Sequence, residues 1–330
     1  CSTFVEGRPH ELQHLAGNTM YMPYGTSLRM GRLGYQSDAQ ASLAVSYNGL
    51  DGYAASLADA LTRPYPAYAS VGIRNPGGDY NQLGDTLLQI ENEFYGTIRP
   101  KRVIHQGERP LHALRERGVE YIEVRLMDLD PFVPNGITSG TMDFLDVFLL
   151  HCLQTDSPPD TPAEIAELAR NQHRTAARGR EPGLMLERHG REVGLVEWGA
   201  ELLDGCAPLA AALNAASQST RYSQALAAAQ ASLQAPDTLP SARVLAAMAQ
   251  DFDNSFVKFV RAQSEKTRAD FLAMPWTAEQ QARYEQMSAK SFEDQKQIEA
   301  GDSMPFEMYR QQYLSAQRLG RPAQKQAALV

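Results

Sequence analysis

The chain is poor in the residues that mark several common chemistries. Its three cysteines, Cys1, Cys152 and Cys206, are too few and too widely spaced for a disulfide framework or a paired-thiol metal site. They suit a reducing, cytoplasmic compartment. The seven histidines never fall at HExxH spacing, which argues against a zinc hydrolase. Neither a GxxxxGK[ST] loop nor a GxGxxG turn after a strand is present, so any nucleotide is held in neither a Walker nor a Rossmann manner. No apolar run approaches the length of a membrane span. The opening Cys1-Ser2-Thr3-Phe4-Val5 has no basic segment leading into an apolar one, and so is no signal peptide. Lacking an initiator Met as well, residue 1 reads as an internal position of a longer protein. Positive charge is also short: 31 Lys and Arg against 39 Asp and Glu give a net charge of -8. A general nucleic-acid binder needs clustered cations and is excluded as an expectation. Small anionic substrates stay open, because a local basic cluster can work inside an acidic protein.

What is present suits a globular protein with a real core: 43 % hydrophobic and 21 % charged residues over 330 positions. The two parts of the chain differ. Residues 1–135 are mixed, with strand-like alternation and abundant Gly, Pro and Tyr. Residues 136–330 read as a mainly helical region of the same unit, rich in Ala, Gln, Glu and Arg. Helices are expected at Asp143–Leu153, Pro162–Ala177, Trp198–Leu213, Ser219–Leu233, Ser241–Asp251, Phe256–Leu272, Thr277–Glu299 and Pro305–Leu319. In the first part, strands are expected at Ala41–Asn48, Leu87–Tyr95 and Val119–Met127, with helices near Gly52–Leu61 and over Pro110–Arg117. Antiparallel strands followed by a run of helices define an α+β protein.

Strand alternation sorts the chemistry. In Val119–Met127 the residues Ile122, Val124 and Leu126 form a core face, while Tyr121, Glu123, Arg125 and Met127 share the other. In Leu87–Tyr95 the polar face carries Gln89, Glu91, Glu93 and Tyr95. One reading is a solvated sheet face with a solubilising Glu–Arg pair. The other is a phosphate and metal site, since carboxylates hold Mg²⁺ and arginine neutralises a transferring phosphoryl group. Arg99, Lys101 and Arg102 lie between the two strands, directly after Leu87–Tyr95. They form either an exposed basic turn or a nucleotide contact. Tyr21 to Arg29, continuing to Leu33-Gly34-Tyr35, with its aromatics, hydroxyls and Arg29, suits either the wall of a small-molecule pocket or a buried aromatic loop.

Three blocks resemble the proteobacterial-type glutamate–cysteine ligases. They are Pro23-Tyr24-x-Thr26-Ser27-Leu28-Arg29 with Leu33-Gly34-Tyr35; Leu88 to Tyr95 running into Ile98-Arg99-Pro100-Lys101-Arg102; and Val119 to Arg125 with Asp130-Pro131-Phe132. Shorter echoes occur at Asn171 and Arg174, at Gly179-Arg180 with Pro182-Gly183-Leu184, and at Ser241-Ala242-Arg243. The resemblance implies a glutamine-synthetase-like active site on a curved antiparallel sheet, only partly contained in this chain. It implies ATP-dependent joining of the L-glutamate γ-carboxylate to the L-cysteine amine through a γ-glutamyl phosphate, the first step of glutathione synthesis. The cofactor it implies is Mg²⁺, with Mn²⁺ as an alternative, and the full-length form is expected to be monomeric.

Residue by residue, the resemblance makes Arg125 catalytic and Glu123 a metal ligand. It assigns Arg29, Tyr35 and Tyr95 to substrate binding, and Arg99, Lys101 and Arg102 to ATP. It also places most of the family's acidic metal ligands upstream of Cys1, so this chain alone is expected to be nearly inactive. Gly96-Thr97, where the family commonly has Ala-Pro, is expected to change only the stiffness of a turn. A related carboxylate–amine ligase with another acceptor, and an inactive paralogue or fragment serving as a binding or regulatory subunit, are the rival readings.

Overall fold

The computed structural model describes residues 10–34, 36–40 and 43–320. Its β-structure there consists of three two-stranded ribbons: β1 (Gln13–Ala16) with β2 (Thr19–Tyr21), β3 (Ile98–Lys101) with β4 (Tyr121–Val124), and β5 (Met185–Arg188) with β6 (Arg191–Gly194). The rest is mainly helix, so the α+β expectation holds. The helices are α1 (Leu50–Thr62), α2 (Pro66–Val71), α3 (Pro110–Arg117), α4 (Ser139–Gln154), α5 (Pro162–Arg178), α6 (Leu195–Ser217), α7 (Arg221–Gln234), α8 (Pro240–Asp251), α9 (Phe256–Ala273), α10 (Ala278–Ala300) and α11 (Phe306–Leu314).

The helix starts follow local chemistry. Thr138 accepts the Thr141 N–H ahead of α4, and Thr161 accepts the Glu164 N–H ahead of α5, whose first residue is a proline. Thr277 and Gln280 form a reciprocal capping box at α10. The β5–β6 hairpin turns through His189 and Gly190, both at positive φ (52° and 74°). That geometry matches the right-handed twist of the strands on either side.

The chain forms two compact units. The first comprises the described residues of Cys1–Ser56, Phe94–Pro100 and Ile122–Ser264. Its core is made by α4, α6 and α7: Val147, Leu203, Cys206, Ala210, Tyr222 and Leu226 are buried, with Phe144, Phe148, Leu209 and Leu233 packed around them. Glycines set the helix approach, since a Cβ on Gly205 would lie 2.8 Å from the His151 ring and one on Gly199 3.0 Å from Leu233.

The second unit comprises the described residues of Leu57–Glu93, Lys101–Tyr121 and Glu265–Val330. It buries Leu57, Ala60, Leu61, Leu87, Leu88, Leu111 and Leu114. It also encloses the ion pair of Arg109 and Glu91, whose side chains are 1 % and 6 % exposed.

Two expected strands are not strands. Of Ala41–Asn48, residues 41 and 42 lie outside the described residues, and 43–48 are irregular. Leu87–Tyr95 bends and then makes a single 3-10 turn at Glu91–Glu93. The reason is local. Leu87 and Leu88 are both buried, which a half-buried strand forbids, and their amides cap the end of α1 by donating to Arg63 O and Ala60 O. The turn is then closed by Gln89 N donating to the Glu93 carboxylate (2.7 Å) and Glu93 N donating to Ile90 O (3.1 Å). Glu91 therefore faces the interior and not a polar sheet face.

Candidate functional site

The β3–β4 ribbon carries the center of the site. Arg125 N donates to Thr97 O (2.8 Å) at one end and Glu120 N to Lys101 O (2.9 Å) at the other, an antiparallel order. Alternation along β4 puts Glu123 and Arg125 on one side, where Arg125 Nη1 donates to Glu123 Oε1 at 2.8 Å. The side chains of Glu123 and Arg125 are 35 % and 29 % exposed, so the pair is half-buried, with Glu123 Oε2 and Arg125 Nε turned away from solvent. The other face is not a core face: Ile122 and Leu126 are 42 % and 41 % exposed. The alternation is as expected, but among the described residues no element covers that face.

Arg29 reaches the same place from far along the chain, its Nη1 donating to the Arg125 carbonyl. The turn that delivers it, Pro23 to Ser27, is seated on the C-terminal end of α5. Thr26 N and Ser27 N both donate to Ala176 O (2.9 and 3.2 Å), and the Thr26 hydroxyl donates to Thr175 O (2.7 Å). The two bonds to Ala176 O satisfy a carbonyl at the helix end, while Thr175 O accepts the Thr26 hydroxyl in addition to the Gly179 N–H (2.8 Å). Arg180, just beyond the helix, donates from its main chain to Tyr24 O (3.1 Å). Its guanidinium donates to Gly25 O (3.2 Å) and Pro23 O (2.5 Å).

Tyr95 and Arg99 sit on the segment that enters β3. Tyr95 is 43 % exposed, and its N–H donates to the Gln40 side chain at 3.0 Å. Arg99 is buried and donates to Phe94 O. Burial makes it a brace of this segment, unlike the exposed basic turn considered from sequence. The segment is tight: a Cβ on Gly96 would lie 2.6 Å from Phe94 Cε1 and 2.7 Å from the Tyr47 hydroxyl, which donates to Ile98 O. A side chain there would therefore do more than stiffen a turn.

Lys101 and Arg102 belong to the second unit. Arg102 donates to Arg117 O (3.0 Å) and stands 3.5 Å from Glu120. Tyr35 lies outside the described residues. The structure thus brings Arg29, Glu123 and Arg125 into direct contact and places Tyr95 and Arg99 on the chain paired to Arg125.

Among the described residues no group of three or more His, Cys, Asp and Glu is arranged to hold a metal ion. Mg²⁺ demands near-octahedral oxygen donors. Glu123, a single carboxylate already bonded to Arg125, does not by itself fit that demand.

Two features of the site were only faint in the sequence. Arg243 lies over the Phe132 ring (4.0 Å to the centroid) and 3.8 Å from the Asp130 carboxylate, which also accepts the Phe132 N–H at 2.9 Å. The short echo at Ser241-Ala242-Arg243 thus packs on the turn that follows β4. Asn171 pairs with both main-chain groups of Glu187 (2.7 and 2.9 Å), joining α5 to the β5–β6 hairpin.

The architecture defines a class first. The chain superimposes on the crystal structure of the Francisella tularensis glutamate–cysteine ligase in complex with AMP, with a TM-score of 0.86 and 32 % identity over 94 % of this chain and 61 % of that one. A bifunctional glutathione synthetase from Pasteurella multocida shares the fold at a TM-score of 0.52 and 18 % identity, over 78 % of this chain and 28 % of the other. The glutamate-cysteine ligase family model matches residues 1–175. The glutamate–cysteine ligase of Janthinobacterium is 47 % identical over 94 % of this chain and 58 % of its own length. That of Pseudomonas fluorescens is 44 % identical over 93 % and 57 %. The chain belongs to the glutamate–cysteine ligase family, and it spans a little under three-fifths of the length of these relatives. No helix among the described residues is long and apolar enough to cross a membrane.

Proposed function

We propose that the chain contributes the Arg29–Arg125–Glu123 part of an ATP-dependent glutamate–cysteine ligase site. The observation that carries this reading is that Arg29 comes from 96 residues away to donate to the Arg125 carbonyl, beside the Arg125–Glu123 pair of β4. In the reaction a γ-carboxylate oxygen of glutamate attacks the γ-phosphorus of ATP, and ADP departs. The cysteine amine then attacks the acyl carbon, loses a proton, and phosphate leaves. Activation is needed because a carboxylate oxygen leaves poorly and a phosphate leaves well.

Arg125 neutralises charge that builds on the phosphoryl oxygens, a task for which a fixed guanidinium is suited. Arg29 grips the glutamate carboxylate. Tyr95, and Tyr35 by resemblance alone, hold the cysteine carboxylate through their hydroxyls. Arg99 braces the turn that presents Tyr95, and Lys101 and Arg102 remain candidates for ATP contact. The substrates would be L-glutamate, L-cysteine and ATP, handled by a monomeric full-length enzyme in the cytoplasm. Glu123 would lend one oxygen to Mg²⁺, and the described residues supply no further ligand cluster for it. For the same reason the 330-residue chain by itself should turn over slowly or not at all. The test is ADP release with glutamate, cysteine and Mg-ATP, from this chain and from a form extended to the relatives' length. An extended form that fails to release ADP, or releases it equally with other amines, would defeat the assignment.

A further inference from the structure

Arg180 is among the most deeply buried charged residues described, at 7 % exposure, yet among the described residues no carboxylate lies at hydrogen-bond distance from it. The nearest, Asp237, stands 3.9 Å away and is itself 96 % exposed. Burying a guanidinium is costly unless its donors are used. Here they are spent on backbone: Nε and Nη2 donate to Gly25 O and Pro23 O, while the Arg180 main-chain N–H donates to Tyr24 O between them. A planar fork suits such a contact, and an ammonium does not.

The chain from that turn to Arg29 is tied down almost without a gap. Thr26 and Ser27 bond to Thr175 and Ala176, Met30 N donates to the Ser27 hydroxyl (3.1 Å), and Gly31 N donates to Leu28 O (3.3 Å). Close packing adds to the seat, because a Cβ on Gly179 would come within 2.7 Å of the Thr26 methyl. A shift of Pro23–Gly25 therefore passes along a bonded segment to the arginine that meets Arg125.

We propose that Arg180 is a positioning residue for Arg29, gripping Pro23, Tyr24 and Gly25 so that the Arg29 guanidinium is held at the Arg125 carbonyl. This rests on the reading of Arg29 as the glutamate-binding arginine. Arg180 touches no substrate in this scheme; its effect on glutamate is carried by the turn.

The experiment compares wild type with Arg180→Lys, Thr26→Val and Asp237→Ala by two measurements. Hydrogen exchange of the amides in Tyr24–Met30 reads the seat itself. Equilibrium dialysis of radiolabelled L-glutamate with Mg-ATP present, on the extended form, reads its consequence. Arg180→Lys keeps charge and loses the fork. It should speed exchange in this segment while leaving α4, α6 and α7 protected, and weaken glutamate about tenfold with ATP affinity unchanged. Thr26→Val, which removes one bond and keeps the shape, should act in the same direction and more weakly. Asp237→Ala should match wild type in both measurements.

If Arg180→Lys unfolds, the Thr26→Val result decides by the same criteria. A loosened turn with unchanged glutamate affinity would overturn the proposal, as would a turn whose exchange does not change. Failure of the wild type to bind glutamate would instead remove the reading of Arg29, and the proposal with it.

Discussion

Replacing Glu91 by Gln should be among the most damaging single changes in the second unit. The Glu91 carboxylate accepts the Arg109 Nε–H through its two oxygens at 3.1 and 2.9 Å, and Arg109 Nη2 stands 2.7 Å from it as the closest approach of the ion pair. Its Oε1 also takes the Leu111 N–H (3.2 Å), one of the free donors at the start of α3. Arg109 has no alternative carboxylate among its described contacts. Its remaining bonds are to Tyr313 O (2.7 Å) and to the face of the Tyr313 ring (4.6 Å). With Gln at 91 the guanidinium stays buried without a counter-charge, a loss of about 3–5 kcal/mol. The loss exceeds what an exposed pair would give because neither partner can turn to water.

If the cost is that of a stranded charge, removing both charges should cost less than removing one. A Glu91→Leu and Arg109→Met double variant should lie within about 2 kcal/mol of wild type. The assay is urea denaturation followed by far-ultraviolet circular dichroism, together with hydrogen exchange of the Leu111–Leu114 amides. A Glu91→Gln variant that loses under about 1 kcal/mol, or a double variant less stable than either single, would refute the reasoning.

Three further outcomes are expected. Arg125→Ala, in the extended form, should cut the rate of ADP release by about 10²–10³ with the circular dichroism spectrum unchanged, and a near-normal rate would remove Arg125 from the chemistry. Glu108 accepts Arg117 bidentately (2.7 and 2.8 Å) and the His105 N–H (2.9 Å), and this hydrogen bonding, with Arg117 foremost, lowers its pKa to about 2. The folded state then binds fewer protons than the unfolded one. The contribution is therefore complete above the ordinary carboxylate pKa and fades as pH falls towards about 2. Urea midpoints for wild type should fall across that window more steeply than those for Glu108→Gln, and parallel curves would count against it. Gly96→Ala should cost about 1–3 kcal/mol, because Phe94 and Tyr47 must both move to admit the methyl. A thermal melt matching wild type would show that the segment relaxes freely.

The helical region was legible because its signals are local. Periodicity, the Thr caps and the Pro at helix starts place α3 to α10 within a few residues of where they stand, and Pro110–Arg117 coincides with its helix. The hairpin at His189-Gly190 was missed because its turn uses a histidine at positive φ where an asparagine would have signalled it. Leu87–Tyr95 misled for the opposite reason. Its alternation of polar and apolar residues was real, but Glu91 was polar for a partner 18 residues away in sequence and not for solvent. No window centered on the segment contains Arg109 with the information that the two will be buried together.

The site shows the same limit more sharply. Glu123 and Arg125 could be paired from strand parity alone, since i and i+2 on a strand share a face whatever surrounds it. Which face of β4 is covered depends on neighbours instead, and so Ile122 and Leu126 stand exposed although their side was the apolar one. Arg29 and Arg180 lie beyond parity altogether. One comes to β4 across 96 residues, and the other holds the turn that brings it there across 155, using carbonyls of Pro23 and Gly25 that carry no side-chain signature. A side chain that acts by binding backbone leaves no complementary residue type to find at the other end. Its trace in the sequence is the arginine itself, set after Gly179 at the end of α5, where a Cβ would collide with the turn that the arginine must grip.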